Sequence, residues 1–396
     1  MRRELKVAVF TDSYDQVNGV SNAFRQLVRY CRQAGRSLDL YTASHHEPSV
    51  ESMGPVRVWR QKAVLQIPYY SDMAWDLATP NFSLVRRVLD EDYDLIHVAT
   101  PGSMGLNGLY AAHKAGLPLV GSYHTALPEY VRPRVEQFAR KWHLPAWLGR
   151  TAEDAIWRYV DWFYGRCQIV LAPSSETIRS LQQRFGKPVE LFTRGVDTEC
   201  FHPRFRRSGS RTRVLYVGRI SVEKNLEWLV RALGDRHDVE IVIVGDGPYR
   251  AQLQAQLPQA LFPGFMRGTE LSRVYASSDV FLFPSQTDTF GNVVLEAMSS
   301  GLAVIVSDRM GPKELVRQGE TGFIAGTEQE FSDYLNLLLT DAPLRQRISC
   351  RAREYALTRN WQAVFEDLFR HYVRVAGGTG PFAQPVLPAV RQPAVR

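Results

Sequence analysis

The stretch Val280-Phe281-Leu282-Phe283-Pro284-Ser285-Gln286-Thr287-Asp288-Thr289-Phe290-Gly291-Asn292-Val293-Val294-Leu295-Glu296-Ala297-Met298 reads as strand, loop and helix in turn. A short apolar run ends at Pro284, a polar loop follows, and helix-patterned positions resume after Gly291. A buried strand feeding a helix is the repeating unit of parallel α/β architecture. In such sheets ligands bind beyond the carboxyl ends of the strands, so chemistry is expected in this loop. Asp288 lies within it and Glu296 about one turn into the helix. Gly291 lets backbone come close, and the amides of Asn292 and Val293 would face an anion at the helix N-terminus. Two carboxylates eight positions apart across such an N-terminus can hold hydroxyls at the two ends of a sugar nucleotide.

The alternation extends in both directions. Strands are expected at Arg213–Val217, Val239–Val244 and Ala303–Ser307 in the second half. In the first half they are expected at Leu5–Thr11, Ser37–Thr42, Leu95–Ala99, Leu117–Ser122 and Gln168–Ala172, with helices at Val20–Ala34, Ser103–Ala115 and Ser175–Arg184 between them. The basic, Ser/Gly-containing stretch Phe201–Arg211 is the candidate linker. With 396 residues the chain is long enough for two cores. The expected division is a first doubly wound domain over 1–204 and a second over 205–360, followed by a helix at 361–376 and a Gly/Pro/Ala-rich, disordered tail at 377–396.

Composition narrows the class. Hydrophobic residues at 45% and charged residues at 22% are globular values. The net charge of +7 is short of the clustered charge that nucleic acid binding requires, so no nucleic acid partner is expected. No apolar run approaches the roughly 18 residues of a membrane-spanning helix, and Met1–Lys6 runs into a strand without a signal-peptide core. Cys31, Cys167, Cys200 and Cys350 form no CxxC, which fits a reducing, cytoplasmic compartment and no metal.

Other strand ends add candidates. Arg219 would follow the strand at 213–217, with Lys224 in the first turn of the next helix. A cation there opposes the helix dipole, so an anionic ligand would account for it. An arginine fork and a lysine point charge converging suit a diphosphate. Asn18-Gly19 precedes a helix, where Gly19 would admit an anion, and His124 stands at the mouth of a central strand.

Two patterns are set aside. Gly245-Asp246-Gly247-Pro248-Tyr249-Arg250 has two of the three fingerprint glycines but Arg250 in place of the third, which argues against a nicotinamide enzyme. Asp90-Glu91-Asp92-Tyr93-Asp94 has the spacing of a metal-binding Asp-x-Asp but precedes its strand, and is expected to be a solvated turn. Residues 131–166 concentrate Trp142, Trp147, Trp157 and Trp162 among seven Arg/Lys, a pattern of either internal helix packing or an anionic membrane surface.

Taken in order, the Asn18-Gly19-Val20 loop, His124, Arg219/Lys224 and the acidic motif from Asp288 to Glu296-Ala297-Met298 resemble retaining glycosyltransferase family 4, of the GT-B fold. His97–Gly102, Gly121–Thr125 and Arg194–Pro203 are similar to the bacterial GDP-mannose-dependent glycolipid mannosyltransferases and the sulfoquinovosyltransferases. The resemblance covers roughly residues 5–375, and departs from the family in having Asp288 where glutamate is usual. It implies two Rossmann-like domains facing across a cleft, a nucleotide-sugar donor (GDP-mannose or a UDP-sugar) and a glycolipid or lipid-linked acceptor at the cytoplasmic face of an anionic membrane. It implies catalytic roles for His124, Arg219, Lys224 and Asp288, without a cofactor or metal. Donor contacts would come from Gly19, Arg219, Lys224, Asp288, Phe290, Gly291, Asn292, Val293 and Glu296. A UDP-sugar glycolipid synthase, a GT-B epimerase and a non-catalytic sugar-nucleotide or glycan-binding module are the rival expectations.

Overall fold

The computed structural model describes residues 4–16, 19–70, 73–77, 82–124, 135–136, 142, 145, 147–207, 209 and 211–377. The first sheet contains β1 (Val7–Thr11), β2 (Leu38–Ser44), β3 (Ser49–Met53) and β4 (Val56–Lys62). After a separate hairpin of β5 (Leu65–Tyr70) and β6 (Met73–Leu77), it continues with β7 (Leu95–Val98), β8 (Leu119–Ser122), β9 (Ile169–Ala172) and β10 (Val189–Leu191). Its order is β10-β9-β8-β7-β1-β2-β4-β3, parallel except for the last pair. Helices α1 (Gly19–Ala34), α2 (Phe82–Asp90), α3 (Ser103–Ala115), α4 (Trp147–Tyr164) and α5 (Ser175–Phe185) connect these strands.

The second sheet has the order β13-β12-β11-β14-β15-β16, parallel throughout. Its strands are β11 (Arg213–Val217), β12 (Glu240–Val244), β13 (Leu261–Gly264), β14 (Val280–Phe283), β15 (Ala303–Ser307) and β16 (Gly322–Ala325). Helices α6 (Glu227–Leu233), α7 (Arg250–Gln256), α8 (Gly268–Ala276), α9 (Asn292–Ser299), α10 (Glu328–Thr340) and α11 (Ala342–Leu357) accompany them. The central strands are buried along their whole length, as both-face coverage by helices demands. In each sheet the winding reverses beside the first strand: between β1 and β7, and between β11 and β14. These are the topological switch points, where a crevice opens at the strand ends.

Helix α12 (Trp361–Val375) belongs to the first domain's core. Trp361, Phe365, Leu368, Phe369 and Tyr372 recur at helical spacing and pack with Val7, Val9 and Leu27. Its buried Tyr372 hydroxyl meets Nδ1 of His97 at 2.6 Å, while Nε2 of that ring meets Ser122 at 2.6 Å. The passage between domains comes earlier than the basic stretch suggests. Val196 and Phe201 already pack on the second core, and Ser299 donates to the Phe201 carbonyl. Arg206 pairs with Asp279, so the expected linker lies bound along the second domain.

Three readings change with the fold. Strands β3 and β4 are unexpected; β3 is a polar, mostly exposed edge strand that lacks an apolar run. Asp90–Asp94 is only in part the expected solvated turn: Asp90 and Asp92 are exposed, while the other three residues form a connected network. Tyr93 is buried with its hydroxyl on Asp39 and Tyr41, Glu91 pairs with Lys6 and Arg57, and Asp94 accepts from the Lys6 amide. In the tryptophan-rich segment, α4 packs one face inward and leaves part of its aromatic content exposed. It buries Val160, Phe163 and Tyr164, and leaves Trp147 60% and Trp162 44% exposed. Most of 131–146, and residues 378–396 of the tail, lie outside the described residues.

Candidate active site

The loop after β14 meets the first domain at the open ends of both sheets. Thr289 Oγ1 donates to the backbone carbonyl of His124 at 2.9 Å. Gly19, the first residue of α1, approaches Asn292 so closely that a Cβ on it would lie 2.8 Å from Nδ2. Gly19 and His124 of the first domain are therefore brought against the loop that carries Asp288 and Asn292.

On the second domain, β11 runs into Gly218-Arg219. The Tyr216 hydroxyl donates to the Arg219 carbonyl at 2.8 Å, and the Gly245–Gly247 turn after β12 supports the loop through Ile220 N to Asp246 O at 2.9 Å. The glycines that mimic a dinucleotide fingerprint thus form the bed of the Arg219 loop. Lys224 is not in the first turn of α6. It ends a separate 3-10 turn, Val222–Lys224, because Asn225 takes a left-handed conformation (φ 55°) before the helix begins. The dipole argument for an anion therefore lapses, and a direct contact replaces it. Lys224 Nζ donates to both oxygens of Asp288, at 2.9 and 2.8 Å, with both side chains mostly buried.

Gly291 (φ 88°) caps α9 in the left-handed region, where a Cβ would also press on Pro312 at 3.0 Å. Phe290 is buried behind it, and Asn292 and Val293 open the helix. One turn on, Glu296 accepts a hydrogen bond from the buried Tyr275 hydroxyl at 3.0 Å. Burial pushes the Glu296 carboxyl up to about 7, against the lowering effect of that bond.

On the first domain, His124 follows β8 and is only 8% exposed. Arg194, 4% exposed and brought from beyond β10, donates from Nη2 to His124 Nδ1 at 2.7 Å. An accepting Nδ1 leaves the ring proton on Nε2. Burial, reinforced by the Arg194 charge, holds the imidazole pKa well below its usual value, so the ring is neutral. Phe24 and Phe192 flank it. Asp12, the acid following β1, is occupied elsewhere. It accepts from Thr100 and Ser103 hydroxyls and the Met104 amide, capping α3.

A further contact spans the domains. Glu314 accepts from the amides of Ser175 and Glu176 at the start of α5, both at 2.7 Å, while Lys313 pairs with Glu176 at 2.7 Å. The same loop touches the donor side through Gly311 N to Asp288 O at 3.1 Å. Arg194, Tyr275 and the Lys313-Glu314 clasp are absent from the sequence-based candidates. Arg194 lies inside the Arg194–Pro203 motif but says nothing of its partner, and Tyr275 looks like any core aromatic on a helix.

Paired Rossmann-like domains facing each other at their open strand ends are the architecture of the GT-B fold. The chain matches Glycosyltransferase Family 4 over residues 17–200 and Glycosyl transferases group 1 over 197–355, and it belongs to that family. It is 33% identical to a GDP-mannose-dependent alpha-mannosyltransferase of Mycobacterium tuberculosis, over 94% of this chain and 97% of that one. It is 32% identical to the Sulfoquinovosyl transferase SQD2 of Arabidopsis thaliana, over 90% of this chain and 71% of that one. Among solved structures, sucrose-phosphate synthase from Thermosynechococcus elongatus superposes with a TM-score of 0.76 at 20% identity, covering 94% and 100% of the two chains. That likeness concerns the fold. Among the described residues no helix is long and apolar enough to cross a membrane.

Proposed function

We propose that the protein is a retaining, metal-independent hexosyltransferase that moves mannose from GDP-mannose onto a lipid-linked acceptor at the cytoplasmic face of a membrane. The observation that carries this reading is the joining of Lys224 to Asp288 at the switch point between β11 and β14, with Arg219 and Glu296 on the same two strand ends. Arg219 and Lys224 supply the positive charge that a departing nucleoside diphosphate needs. Lys224 is held by Asp288 where an entering donor would set phosphate oxygens on the cation and a sugar hydroxyl on the acid. Glu296 takes the ribose hydroxyls, and the Phe290–Val293 backbone faces the sugar and its phosphate. Gly19 and His124 complete the site from the first domain.

In the reaction, the bond from the anomeric carbon to the diphosphate oxygen breaks and that oxygen keeps the electron pair. The acceptor oxygen bonds the same carbon from the same face, and its proton passes to the leaving phosphate. The His124 ring does not compete for this proton, because Nδ1 is engaged by Arg194 and Nε2 already carries one. Closure of the domains brings the two halves together.

The relative of 32% identity that is a sulfoquinovosyl transferase favours a second reading, a UDP-sugar donor used for a glycolipid. Thermal shift with GDP against UDP separates the two, since the nucleotide that binds raises the melting temperature. The decisive test is a panel of nucleotide sugars with lipid extract, followed by mass spectrometry of the products. A mannosylated lipid formed from GDP-mannose supports the first reading. Nucleotide binding with no transfer from any donor would leave a binding module in its place.

The membrane part rests on exposed Trp142 (61%), Trp147 and Trp162, with the Arg166 guanidinium over the Trp162 ring at 4.2 Å. Amphipathic rings beside basic side chains suit an anionic lipid interface. Co-sedimentation with anionic vesicles should exceed that with neutral ones, and Trp147→Ser with Trp162→Ser should reduce it. Equal binding to both lipid types would remove the membrane from this reading.

A further inference from the structure

A buried arginine ordinarily finds a carboxylate, since an isolated charge away from water is costly. Arg194 has none among the described residues. Its side chain spends one donor on a neutral imidazole, at 2.7 Å, and lies over the Phe192 ring. Burial draws its pKa down only to about 10, so it remains a cation at neutral pH. A second peculiarity sits beside the first. His124 Nε2 and Arg194 Nη1 are both fully buried with no hydrogen-bond partner among the described residues. Two orphaned donors on one hydrogen-bonded pair, next to the Thr289 contact with the donor loop, point to an acceptor atom that a ligand brings.

We propose that Arg194 is a positioning residue for donor recognition: it fixes His124 as the Nε2–H tautomer, aimed as a hydrogen-bond donor at one hydroxyl oxygen of the transferred sugar. The proposal rests on the glycosyltransferase reading and extends it to a residue whose positioning role is exerted through His124. The reasoning is one of tautomer choice. Guanidinium nitrogens can only donate, so Nδ1 must accept and the proton must sit on Nε2. The same charge opposes protonation of the ring, so His124 acts across the physiological range as a fixed neutral donor. Phe24 and Phe192 pack apolar rings against the imidazole. Without Arg194 the imidazole can rotate or change tautomer, and its donor edge is no longer defined.

Two measurements test this on the full-length protein. The first is 15N NMR of the His124 ring in the wild type, which reads the tautomer directly. An Nε2–H signal that does not titrate between pH 5 and 8 is expected; an Nδ1–H tautomer, or titration in that window, overturns the proposal. The second compares the parent sugar nucleotide with a series of monodeoxy analogues. In the wild type, deleting one particular sugar hydroxyl should lower kcat/KM by about a hundred-fold, because a buried donor is left unpaired. In Arg194→Met, whose side chain has no donor, the parent should fall to nearly the rate of that analogue, the analogue should be little changed, and nucleotide affinity should hold. Arg194→Lys, which keeps a donor, should recover part of the discrimination. A uniform loss across parent and analogues would assign Arg194 to folding alone. Should no nucleotide bind and no donor turn over, the glycosyltransferase reading falls, and the NMR result still decides the tautomer.

Discussion

The two walls of the cleft solve opposite problems with buried polar pairs. On the second domain the pairs are complementary: Lys224 with Asp288, and the Tyr275 hydroxyl with Glu296. On the first domain the pair is a cation with a neutral ring, Arg194 with His124, and both partners retain unused donors. The acidic groups of the site therefore lie on one wall, and the unused groups of the Arg194–His124 pair on the other are donors. The Lys224–Asp288 pair can hold that wall in place before ligand arrives, although Ser285 Oγ and Asn292 Oδ1 on it also have no hydrogen-bond partner among the described residues. A wall with orphaned donors is completed by the ligand itself. The difference predicts a division of labour, in which the second domain grips the nucleotide and the first reads the sugar once the domains close.

The largest expected effect breaks the balanced wall. On the proposed function, Lys224→Ala removes the charge opposite the leaving diphosphate, and it strands Asp288 in a mostly buried position. Transfer should fall by about 10²–10³ in kcat, the range found for losing one electrostatic stabiliser, and nucleotide affinity should fall with it. Lys224→Arg should recover little, since a planar fork does not replace a point charge bonded to both carboxylate oxygens. Steady-state kinetics with nucleotide binding by calorimetry would measure both. Transfer at the wild-type rate in Lys224→Ala would end the diphosphate role.

The same contrast explains what the sequence made legible. The second domain's candidates follow two strands that are adjacent at the switch point, so the β-loop-α pattern itself places Arg219, Lys224, Asp288 and Glu296 together. Strand β11 is found at Arg213–Val217 as read, because an apolar strand buried on both faces is unmistakable. Partnerships across the fold were not legible. Tyr275 precedes its strand and reaches Glu296 through packing of α8 on α9, and Arg194 is seventy positions from His124. Lys224 was placed on a helix because helix propensity resumes nearby; the left-handed Asn225 that separates the two has no strong sequence signature. The edge strand β3 was missed for the complementary reason, that exposure leaves no apolar pattern to read.

An intermediate effect sharpens the comparison through pH. Burial sets the Glu296 carboxyl at about 7, so it is half protonated at neutral pH in the free protein. Ribose hydroxyls donate best to the ionised form, so nucleotide affinity should rise as pH increases from 6 to 8. Tyr275→Phe removes a bond that favours the ionised form, which should weaken nucleotide binding by about ten-fold at pH 7 and move the rise to higher pH. Stability runs the other way. An acid whose folded pKa is raised contributes stability at low pH that is lost as pH climbs through about 7. Urea melts should therefore show the wild type losing stability relative to Glu296→Gln between pH 5 and 8. A flat affinity profile, with no difference between the two melts, would mean that Glu296 is ionised throughout. Nothing comparable is expected of the first wall, where His124 stays neutral over the same interval.

The smallest effect tests whether the walls are independent until closure. Glu314 holds two amides at the start of α5, and Lys313 holds Glu176 in the same turn. A carboxylate at a helix N-terminus contributes about 1 kcal/mol, equivalent to roughly a five-fold change in an equilibrium constant at room temperature. Glu314→Ala should therefore lower kcat/KM for transfer by a similar factor, since fewer molecules occupy the closed arrangement. The affinity for free nucleotide should stay within two-fold, because Lys224, Asp288 and Glu296 all sit on the second domain. Small-angle scattering of the variant should show a larger radius of gyration than the wild type, and a saturating donor should reduce the gap. Loss of nucleotide affinity equal to the loss of transfer would contradict the division of labour. Gly311 touches Asp288 from the same loop, and that outcome would show the clasp acting through the donor loop rather than through closure.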